Sequence, residues 1–536
     1  MAHWLRAGGL AAACTFAAPC IFTGLPAAAQ NAYSFLDADK SVVDYRRAPV
    51  AAQMACHDLR KLSGGQITII RADAVAAFAR VPAFCRVTGV IAPEIQFEVA
   101  LPLNWNRRIY MRGNGGYAGE ALDAPPRVAQ RNAALMNGFV AVQTNTGHDA
   151  GTEPLATFAQ NLQKTIDYSF RAVHTTIDTA KRLARAFYDR PASYSYWDGC
   201  STGGRQGLMS AQRFPGDFDG IIAGAPVLNF TGTMMQFAWN TRALAKAPIS
   251  FEKIAKVADA VYKKCDAADG AADGLIENPK TCNFDPAADL PKCSSAETPD
   301  CFTAGQIETL KAIYAGVTSN GKHVFPGVPL SAEKSGTPFL NPAAPSESGW
   351  GFWLLSKEGP ARQFQYGETF FRYMAFGKAD PGYDLGNFDF DKDPARMGAI
   401  HAMLDATDPD LSAFRSRGGK IVMYHGWSDT ALSPYMSIGY YEQVTEKLGP
   451  ATKDFMRLFM VPGMFHCRGG IGVDRIDALT PLINWVENGT APARLVGARM
   501  EGEKIVRARP LCPYPQTAHY TGSGSLDDAA NFACRD

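Results

Sequence analysis

The stretch "WDGCSTGGRQG", residues 197–207, places a serine, Ser201, between two glycines in the pattern Gly-x-Ser-x-Gly. The residues leading into it, "ASYSYWDG" (192–199), are typical of a buried strand, and "GGRQGLMSAQRFP" (203–215) is typical of a helix. A strand that turns sharply into a helix around such a serine presents the hydroxyl as a nucleophile. The stretch therefore predicts a strand, a tight turn carrying Ser201, and a helix that ends near Pro215.

Strand-like and helix-like segments alternate on both sides of this turn. Apolar strand patterns lie within 107–120, 138–147, 218–227, 419–434 and 454–470. A helical pattern covers 165–188, and a closing helix covers 479–489 with Gly489 as its stop. Strand, helix and strand in this order predict a parallel sheet covered by helices, which makes the chain an α/β protein.

The alternation stops between residues 229 and 405, where Asp, Gly, Pro and clustered aromatic residues are frequent. We interpret this segment as an insertion into the α/β core. The predicted organisation is a signal peptide at 1–29, a first part of the core at 30–228, the insertion at 229–405, and a second part of the core at 406–536.

The first residues have the layout of a secretory signal. A basic residue, Arg6, precedes an apolar run from Leu10 to Leu25, and three alanines end at Ala29 before Gln30. The alternative is a membrane anchor, but the run is interrupted by polar residues, proline and glycine and is short for a bilayer span. The segment predicts a secreted or periplasmic protein.

The charge balance argues against two classes of partner. The chain has 53 lysines and arginines against 52 aspartates and glutamates, which gives a formal net charge of +1. Such a balance gives no basis for binding nucleic acid or an anionic membrane surface. We therefore expect no nucleic acid and no membrane as partner.

Export changes how the cysteines are interpreted. Of twelve cysteines, Cys14 and Cys20 fall in the signal segment, and an even number remains in an oxidising compartment, which suggests five disulfides. Sequence alone does not fix the connectivity. Four pairs are adjacent along the chain, namely Cys56 with Cys85, Cys265 with Cys282, Cys293 with Cys301 and Cys512 with Cys534, and they leave Cys200 and Cys467. The alternative of free or metal-bound thiols finds no support, because no Cys-x-x-Cys spacing is present.

A serine hydroxyl needs an imidazole as general base, and the imidazole needs a carboxylate to orient it. In α/β-hydrolases these groups follow in the order serine, acid, histidine, each on a loop after a strand. Asp429 follows the strand "IVMYHGWS", and His466 follows "RLFMVPGMF". The predicted catalytic residues are therefore Ser201, Asp429 and His466.

Three other residues compete for these roles. His425 and Asp198 come before the expected loop positions, and His148 precedes the serine and breaks the chain order. The cysteines favour the first assignment, because Cys200 precedes Ser201 and Cys467 follows His466. If the serine and histidine are in hydrogen-bond contact, their neighbouring cysteines are close enough for a disulfide.

An oxyanion hole needs two backbone donors aimed at the developing negative charge. Thr202, directly after the nucleophile, can supply one N–H group. The glycine-rich loop "RGNGGYAGE" (112–120) can supply the other from Gly115 or Gly116, because glycine lets the backbone approach a substrate closely. The alternative for this loop is an ordinary turn.

Together these motifs carry a family resemblance. The Gly-Cys-Ser-x-Gly-Gly turn, Asp429, the His466-Cys467 step and the "GNGGYAG" loop resemble the tannase and feruloyl esterase family, which also includes a hydrolase of mono(2-hydroxyethyl) terephthalate. The resemblance covers nearly all of the mature chain. It implies an α/β-hydrolase fold with a large inserted lid domain, and hydrolysis of small esters of aromatic acids.

The lid loop "CDAADGAADGLIENPKTC" (265–282) places three aspartates between two cysteines. Carboxylates and carbonyls suit a hard cation, although the spacing is not that of an EF-hand, and Asp-Gly turns in a solvated loop are the alternative. The resemblance implies a structural calcium ion here. Its ligands would be the side chains of Asp266, Asp269 and Asp273 and the carbonyls of Ala271 and Leu275.

Substrate specificity is less well defined by the sequence. The lid stretch at 348–376 is dense in aromatic residues, which suit an aromatic acyl group, and an arginine there could pair with a second carboxylate. The alternative is a lid core with its arginines in solvent. The candidate substrate residues are Leu432, Arg362, Arg372, Trp350 and Trp353.

The predicted function is a secreted serine esterase that hydrolyses feruloyl, galloyl or terephthaloyl esters through an acyl-enzyme. Two alternatives are a peptidase of the same fold and a catalytically weak binding protein. The second would lack covalent labelling of Ser201 by a fluorophosphonate.

Overall fold

The computed structural model describes residues 33–46, 48–337 and 349–536. The predicted signal peptide at 1–29 therefore lies outside the described residues. Within these ranges, no helix is long and apolar enough to cross a membrane.

The strands form one large sheet and four small pairs. In chain order the strands of the described residues are β1 (Val50–Ala51), β2 (Ile67–Val75), β3 (Phe84–Ile91), β4 (Ile95–Pro102), β5 (Asn104–Trp105), β6 (Arg108–Arg112), β7 (Val140–Thr144), β8 (Tyr194–Cys200), β9 (Gly220–Gly224), β10 (Val317–Ser319), β11 (Lys322–Phe325), β12 (Lys420–Gly426), β13 (Met456–Val461), β14 (Leu495–Glu501), β15 (Lys504–Leu511), β16 (Thr517–Tyr520) and β17 (Phe532–Arg535). The large sheet has nine strands in the order β13-β12-β9-β8-β6-β7-β4-β3-β2. The pairs are β1-β5, β10-β11, β14-β15 and β16-β17.

The large sheet has a parallel part and an antiparallel part. The strands from β7 through β6, β8, β9 and β12 to β13 pair in parallel. Strands β2, β3 and β4 add an antiparallel edge, with β4 antiparallel to β7. The parallel part matches the strand patterns found in the sequence, whereas the antiparallel edge at residues 67–102 was not predicted.

The helices cover both faces of this sheet. Those of the described residues are α1 (Pro125–Met136), α2 (Leu162–Ile166), α3 (Ala172–Tyr188), α4 (Thr202–Arg213), α5 (Phe230–Lys246), α6 (Phe251–Cys265), α7 (Pro286–Asp289), α8 (Ala304–Ala315), α9 (Arg362–Tyr373), α10 (Gly398–Leu404), α11 (Ser412–Ser416), α12 (Pro434–Leu448) and α13 (Leu479–Asn488). Helices α3, α4 and α12 pack into the core on one face, and α1 and α13 into the core on the other. A parallel sheet covered on both faces, with the serine turn between β8 and α4, confirms the predicted α/β-hydrolase fold.

Alternation of side chains along the strands separates the two cores. In β8, Trp197 belongs to the core under α3 and α4, and its neighbour Tyr196 belongs to the core under α13. In β9, Ile221 and Ile222 divide in the same way. This period of two follows from the pleat of the strand. Because the central strands are parallel, the loops that follow them lie at the same edge of the sheet.

A third core lies inside the segment predicted as an insertion. Val257 of α6, Leu310 of α8 and the loop residues Phe302 and Trp350 are buried together in it. Helix α8 begins with a capping box. The Thr303 hydroxyl accepts a hydrogen bond from the Gln306 N–H group, and the Gln306 side chain accepts one from the Thr303 N–H group. Helices α5 and α9 of the same segment (229–405, called the lid below) contact each other and pack into the main core.

Five disulfides are present in the described residues, and they include the predicted long-range pair. They join Cys56 to Cys85, Cys200 to Cys467, Cys265 to Cys282, Cys293 to Cys301 and Cys512 to Cys534. Four of the pairs close short segments of chain, whereas Cys200 and Cys467 are 267 positions apart.

Candidate active site

The serine turn is built on close backbone packing. Ser201 has φ 62° and ψ −122°, which a non-glycine residue rarely adopts, and it connects β8 to α4. The turn is closed by its N–H group, which donates to the carbonyl of Gly224 at 2.9 Å. Gly199 must be a glycine, because a Cβ atom there would lie 2.5 Å from backbone atoms of Gly203. Close backbone packing therefore holds the serine in this rare conformation, at the edge of the sheet where the parallel strands end.

Asp429 and His466 are in direct hydrogen-bond contact. His466 Nδ1 lies 2.8 Å from Asp429 Oδ2, and because a carboxylate only accepts, Nδ1 carries the proton. The loop after β12 also holds the other carboxylate oxygen, Oδ1, which accepts from the N–H groups of Ala431 at 2.8 Å and Leu432 at 2.9 Å. The carboxylate is thus fixed at both oxygens.

The environment of Asp429 keeps its carboxyl group ionised. Burial opposes the charge, but attraction to His466 and hydrogen bonds from His425 and His466 outweigh it and hold the pKa of Asp429 well below its usual range. A buried ionised carboxylate beside an imidazole is the partner that a general-base histidine requires.

The disulfide between Cys200 and Cys467 connects the serine turn to the histidine loop. The Cα atoms of the two cysteines are 6.1 Å apart. Ser201 directly follows one of them and His466 directly precedes the other. The proposed nucleophile and the proposed base are consequently tethered on adjacent loops, each next to the same covalent bond.

Two of the three competing residues, Asp198 and His148, have partners outside the proposed triad. Asp198 is buried and accepts from the hydroxyls of Tyr110, at 2.9 Å, and of Ser34. His148 Nε2 lies 2.9 Å from the carbonyl oxygen of Tyr117. Burial raises the pKa of Asp198 to about 6 and lowers that of His148 to about 4. Neither residue contacts Asp429 or His466 in the hydrogen bonds of the described residues.

The glycine loop after β6 lies beside the serine turn. The Thr202 hydroxyl donates to the carbonyl of Gly116, and the Tyr168 hydroxyl reaches the same oxygen at 3.0 Å. Gly115 N–H donates to Glu120 Oε1 at 3.1 Å, so this donor is already used. Gly116 N–H has no acceptor in the described part of the chain, so of the two predicted glycines it is the candidate oxyanion donor.

Aromatic residues of the lid face the histidine. The Trp353 ring stands edge-on to the His466 ring, with centroids 5.6 Å apart, and the Tyr366 ring lies 6.1 Å from Trp353. A Cβ atom on Gly116 would lie 2.6 Å from the Tyr366 hydroxyl, which therefore stands over the glycine loop. Leu432 is bound to Asp429 through its backbone.

The other candidate substrate residues divide into two groups. Arg362 stacks on Tyr366, with its guanidinium carbon 5.8 Å from the ring centroid, and so lies beside the aromatic residues of the site. Arg372 instead pairs with Glu368 at 2.9 Å and donates to the carbonyl of Tyr383. Trp350 is fully buried in the lid core. Arg372 and Trp350 are therefore both engaged inside the lid, and their part in substrate binding stays a prediction.

The aspartate loop of the lid contacts the C-terminal strands. Asp266 Oδ1 accepts from Gly274 N–H at 3.0 Å, and Asp269 Oδ1 from Ala271 N–H at 2.9 Å. Asp273 pairs with the buried Arg509 of β15. In the described parts of the chain, no group of three or more His, Cys, Asp or Glu side chains is arranged to hold a metal ion.

Two residues of the site were not identified from the sequence. Glu120 binds the glycine loop, accepting from Gly115 N–H and from Asn114 Nδ2 at 2.9 Å, and it pairs with buried Arg127. Tyr366 lies in the aromatic stretch at 348–376, where composition does not distinguish it from its neighbours. Glu120 has a weak sequence signal, because it ends the glycine-rich loop.

The comparisons with known proteins point to one family. A sequence model of the tannase and feruloyl esterase family matches residues 79–535. The chain is 36% identical to an uncharacterised esterase of Xanthomonas campestris and 34% identical to the mono(2-hydroxyethyl) terephthalate hydrolase of Piscinibacter sakaiensis, in each case over 91% of this chain and 92% of the relative. The crystal structure of feruloyl esterase B from Aspergillus oryzae is 29% identical, with a TM-score of 0.75 over 90% of this chain and 99% of that one.

Proposed function

The chain belongs to the tannase and feruloyl esterase family and is a carboxylic ester hydrolase, and we propose that it is a serine esterase that cleaves esters of aromatic carboxylic acids through an acyl-enzyme. One observation carries the proposal. Asp429 holds His466 at 2.8 Å, and a disulfide joins the histidine loop to the loop of Ser201. These contacts are what a serine nucleophile needs for activation.

In the proposed mechanism Ser201 Oγ attacks the ester carbonyl carbon while His466 Nε2 takes the serine proton. Asp429 holds the tautomer with the proton on Nδ1 and stabilises the imidazolium. The tetrahedral intermediate collapses, the C–O bond to the alcohol breaks, and His466 gives its proton to the leaving alkoxide. Water then attacks the acyl-enzyme with His466 as base, and the acid and the free serine are released.

The negative charge on the carbonyl oxygen would be stabilised by backbone donors. Thr202 is the first residue of α4, so its N–H group has no acceptor within the helix and points out of the helix start. Gly116 N–H is the second donor, since Gly115 N–H is bound to Glu120. Two such donors act most strongly in a site that is shielded from water.

The aromatic acid would bind under the lid. Trp353 and Tyr366 provide flat apolar surfaces next to His466, and stacking on such rings favours an aryl acyl group over an alkyl one. Arg362 lies at the rim of this surface and is suited to a second carboxylate, as an ester of a dicarboxylic aromatic acid would carry.

We also propose that the lid loop binds calcium and that the mature protein acts outside the cytoplasm. The loop carries three carboxylates within eight positions, Asp266, Asp269 and Asp273. Burial and the charge of Asp273 raise the pKa of both other aspartates, which a cation would offset. The carbonyls of Ala271 and Leu275 would complete the oxygen donor set, and the ion would be structural. The signal sequence and the five disulfides support export.

Hydrolysis of four esters tests the proposed activity: methyl ferulate, methyl gallate, mono(2-hydroxyethyl) terephthalate and a short aliphatic p-nitrophenyl ester. We expect turnover of at least one aromatic ester, with loss of turnover and of fluorophosphonate labelling in Ser201→Ala. Activity on the aliphatic ester alone would contradict the aromatic acid assignment. Turnover that survives in Ser201→Ala would contradict the serine mechanism.

Thermal unfolding tests the calcium ion separately. Removal of calcium with a chelator should lower the Tm, and added calcium should restore it in the parent protein but not in Asp269→Asn. Asp285→Asn, a carboxylate outside the loop at the start of α7, serves as the control. An unchanged Tm on chelation and on calcium addition would remove the metal from the proposal.

A further inference from the structure

A second histidine side chain contacts the carboxylate of Asp429. His425, near the end of β12, is fully buried, and its Nε2 atom lies 3.2 Å from Asp429 Oδ2. The same oxygen accepts from His466 Nδ1 at 2.8 Å. One carboxylate oxygen therefore connects two histidines, of which the proposed mechanism uses only His466.

The partners of His425 fix the proton on Nε2. Nε2 faces Asp429 Oδ2 and the carbonyl oxygen of Leu432 at 3.1 Å, and both only accept, so Nε2 carries a proton. Nδ1 lies 2.7 Å from the hydroxyl of Ser437 in α12, which can donate to the ring lone pair. Both ring nitrogens thus have hydrogen-bond partners, which hold the ring in one orientation.

We propose that His425 is a positioning residue for the catalytic carboxylate: its Nε2–H group aims Asp429 at His466 and also holds the Leu432 carbonyl of the same loop. The inference rests on the proposed function. Asp429 Oδ1 is anchored by the N–H groups of Ala431 and Leu432, and a fixed donor at Oδ2 prevents the carboxylate plane from turning about that anchor. Small misplacements of such groups reduce rates strongly.

The shared oxygen also has an electrostatic consequence. Among the described residues, the titratable groups that lower the pKa of Asp429 most are His466 and His425. As a hydrogen-bond donor to Oδ2, His425 partly neutralises the carboxylate, which weakens the attraction between Asp429 and the His466 imidazolium. Without His425, Asp429 would hold the His466 imidazolium more tightly. The free base needed for attack would then form at higher pH, and the acid limb of the kcat/KM profile would move upward.

The test compares three substitutions at one position. His425→Leu removes the donor, His425→Gln can place an amide N–H near the position of Nε2, and His425→Asn is too short to reach Asp429. We expect kcat on the best aromatic ester to fall about 10–100-fold in the Leu and Asn variants, with little change in KM and an acid limb shifted to higher pH. The Gln variant should recover most of the rate and the parental limb.

A stability control separates positioning from general damage. Val422→Ala truncates a buried residue of the same strand that faces the opposite core, and it should lower the Tm while leaving the pH profile unchanged. Equal behaviour of the Gln and Asn variants, or an acid limb that does not move in either Asn or Leu, would overturn the inference. The comparison of His425→Gln with His425→Asn still tests the inference if His425→Leu does not fold. The proposed function fails separately, through activity in Ser201→Ala.

Discussion

Cys200 and Cys467 form a disulfide between the two loops that carry Ser201 and His466, with their Cα atoms 6.1 Å apart. The bond connects residues that are 267 positions apart in the chain. The proposed nucleophile and the proposed base follow different strands, β8 and β13, which are separated in the sheet by β9 and β12. The disulfide therefore fixes a distance that the sheet alone sets only through two intervening strands.

We predict that the double variant Cys200→Ala and Cys467→Ala loses both rate and stability. A shift of about 1 Å between the serine and the histidine loops should lower kcat about 100-fold. The loss of the long cross-link should lower the free energy of unfolding by about 2–4 kcal/mol. Ester hydrolysis kinetics and denaturant unfolding measure the two effects.

The matched control removes a disulfide from the lid. Cys293 and Cys301 are only eight positions apart, so their cross-link constrains the unfolded chain less. The variant Cys293→Ala with Cys301→Ala should keep the parental kcat and lose less stability. Equal rate losses in the two double variants would mean that the long disulfide has no specific role at the site.

The parallel part of the fold could be predicted because each strand has its own local apolar pattern. The segments that became β6, β7, β8, β9, β12 and β13 are short, apolar and followed by loops. All their residues are buried except Tyr194, Lys420 and Arg457, which are half-buried. The antiparallel edge is different. In β2 most positions are exposed or half-exposed, so its sequence lacks the apolar run that marks a central strand.

The sequence could not predict which loop groups reach the site, and the reason is physical. Trp350 and Trp353 are three positions apart in a turn without regular periodicity, and one enters the lid core while the other meets His466. The choice between Gly115 and Gly116 depends on Glu120, whose carboxylate takes the N–H group of one of them. In both cases the outcome depends on tertiary contacts and on no local pattern.

Gly116→Ala should disable the oxyanion hole. The backbone at Gly116 has φ +51°, and a Cβ atom would lie 2.6 Å from the Tyr366 hydroxyl, so the loop or the tyrosine must move. Loss of one oxyanion donor costs about 10²–10³ in kcat. We expect a fall of that order in kcat, measured on the best aromatic ester, with a smaller change in KM.

Relief of the clash provides the check on this explanation. Tyr366→Phe removes the hydroxyl, after which the nearest atom of the ring would lie 3.6 Å from the new Cβ atom. The double variant Gly116→Ala with Tyr366→Phe should therefore recover part of the rate. Gly439→Ala, in α12 with open space around its Cβ position, should have parental kinetics. If the double variant is no faster than Gly116→Ala, the clash is not the cause.

Arg362 and Arg372 provide a matched pair for substrate recognition. Arg362→Ala should raise KM for mono(2-hydroxyethyl) terephthalate, whose free carboxylate it would pair with, by about tenfold. KM for methyl ferulate should change little. Arg372→Ala should leave both values unchanged, because Arg372 is bound to Glu368 within the lid. Equal effects of Arg362→Ala on the two esters would contradict a role in carboxylate binding.

The last prediction concerns stability and pH at Asp198. Burial raises its pKa to about 6 from an ordinary 3.8, so the folded protein binds a proton there that the unfolded chain has lost. Stability should therefore fall as pH rises from about 4 to about 6, by up to about 3 kcal/mol. Asp198→Asn should lack this part of the pH dependence while keeping its activity. Tyr110→Phe removes a hydroxyl that donates to the carboxylate at 2.9 Å, so it should steepen the dependence. Denaturant unfolding between pH 4 and 8 compares the three proteins, and parallel curves for the parent and Asp198→Asn would contradict the raised pKa.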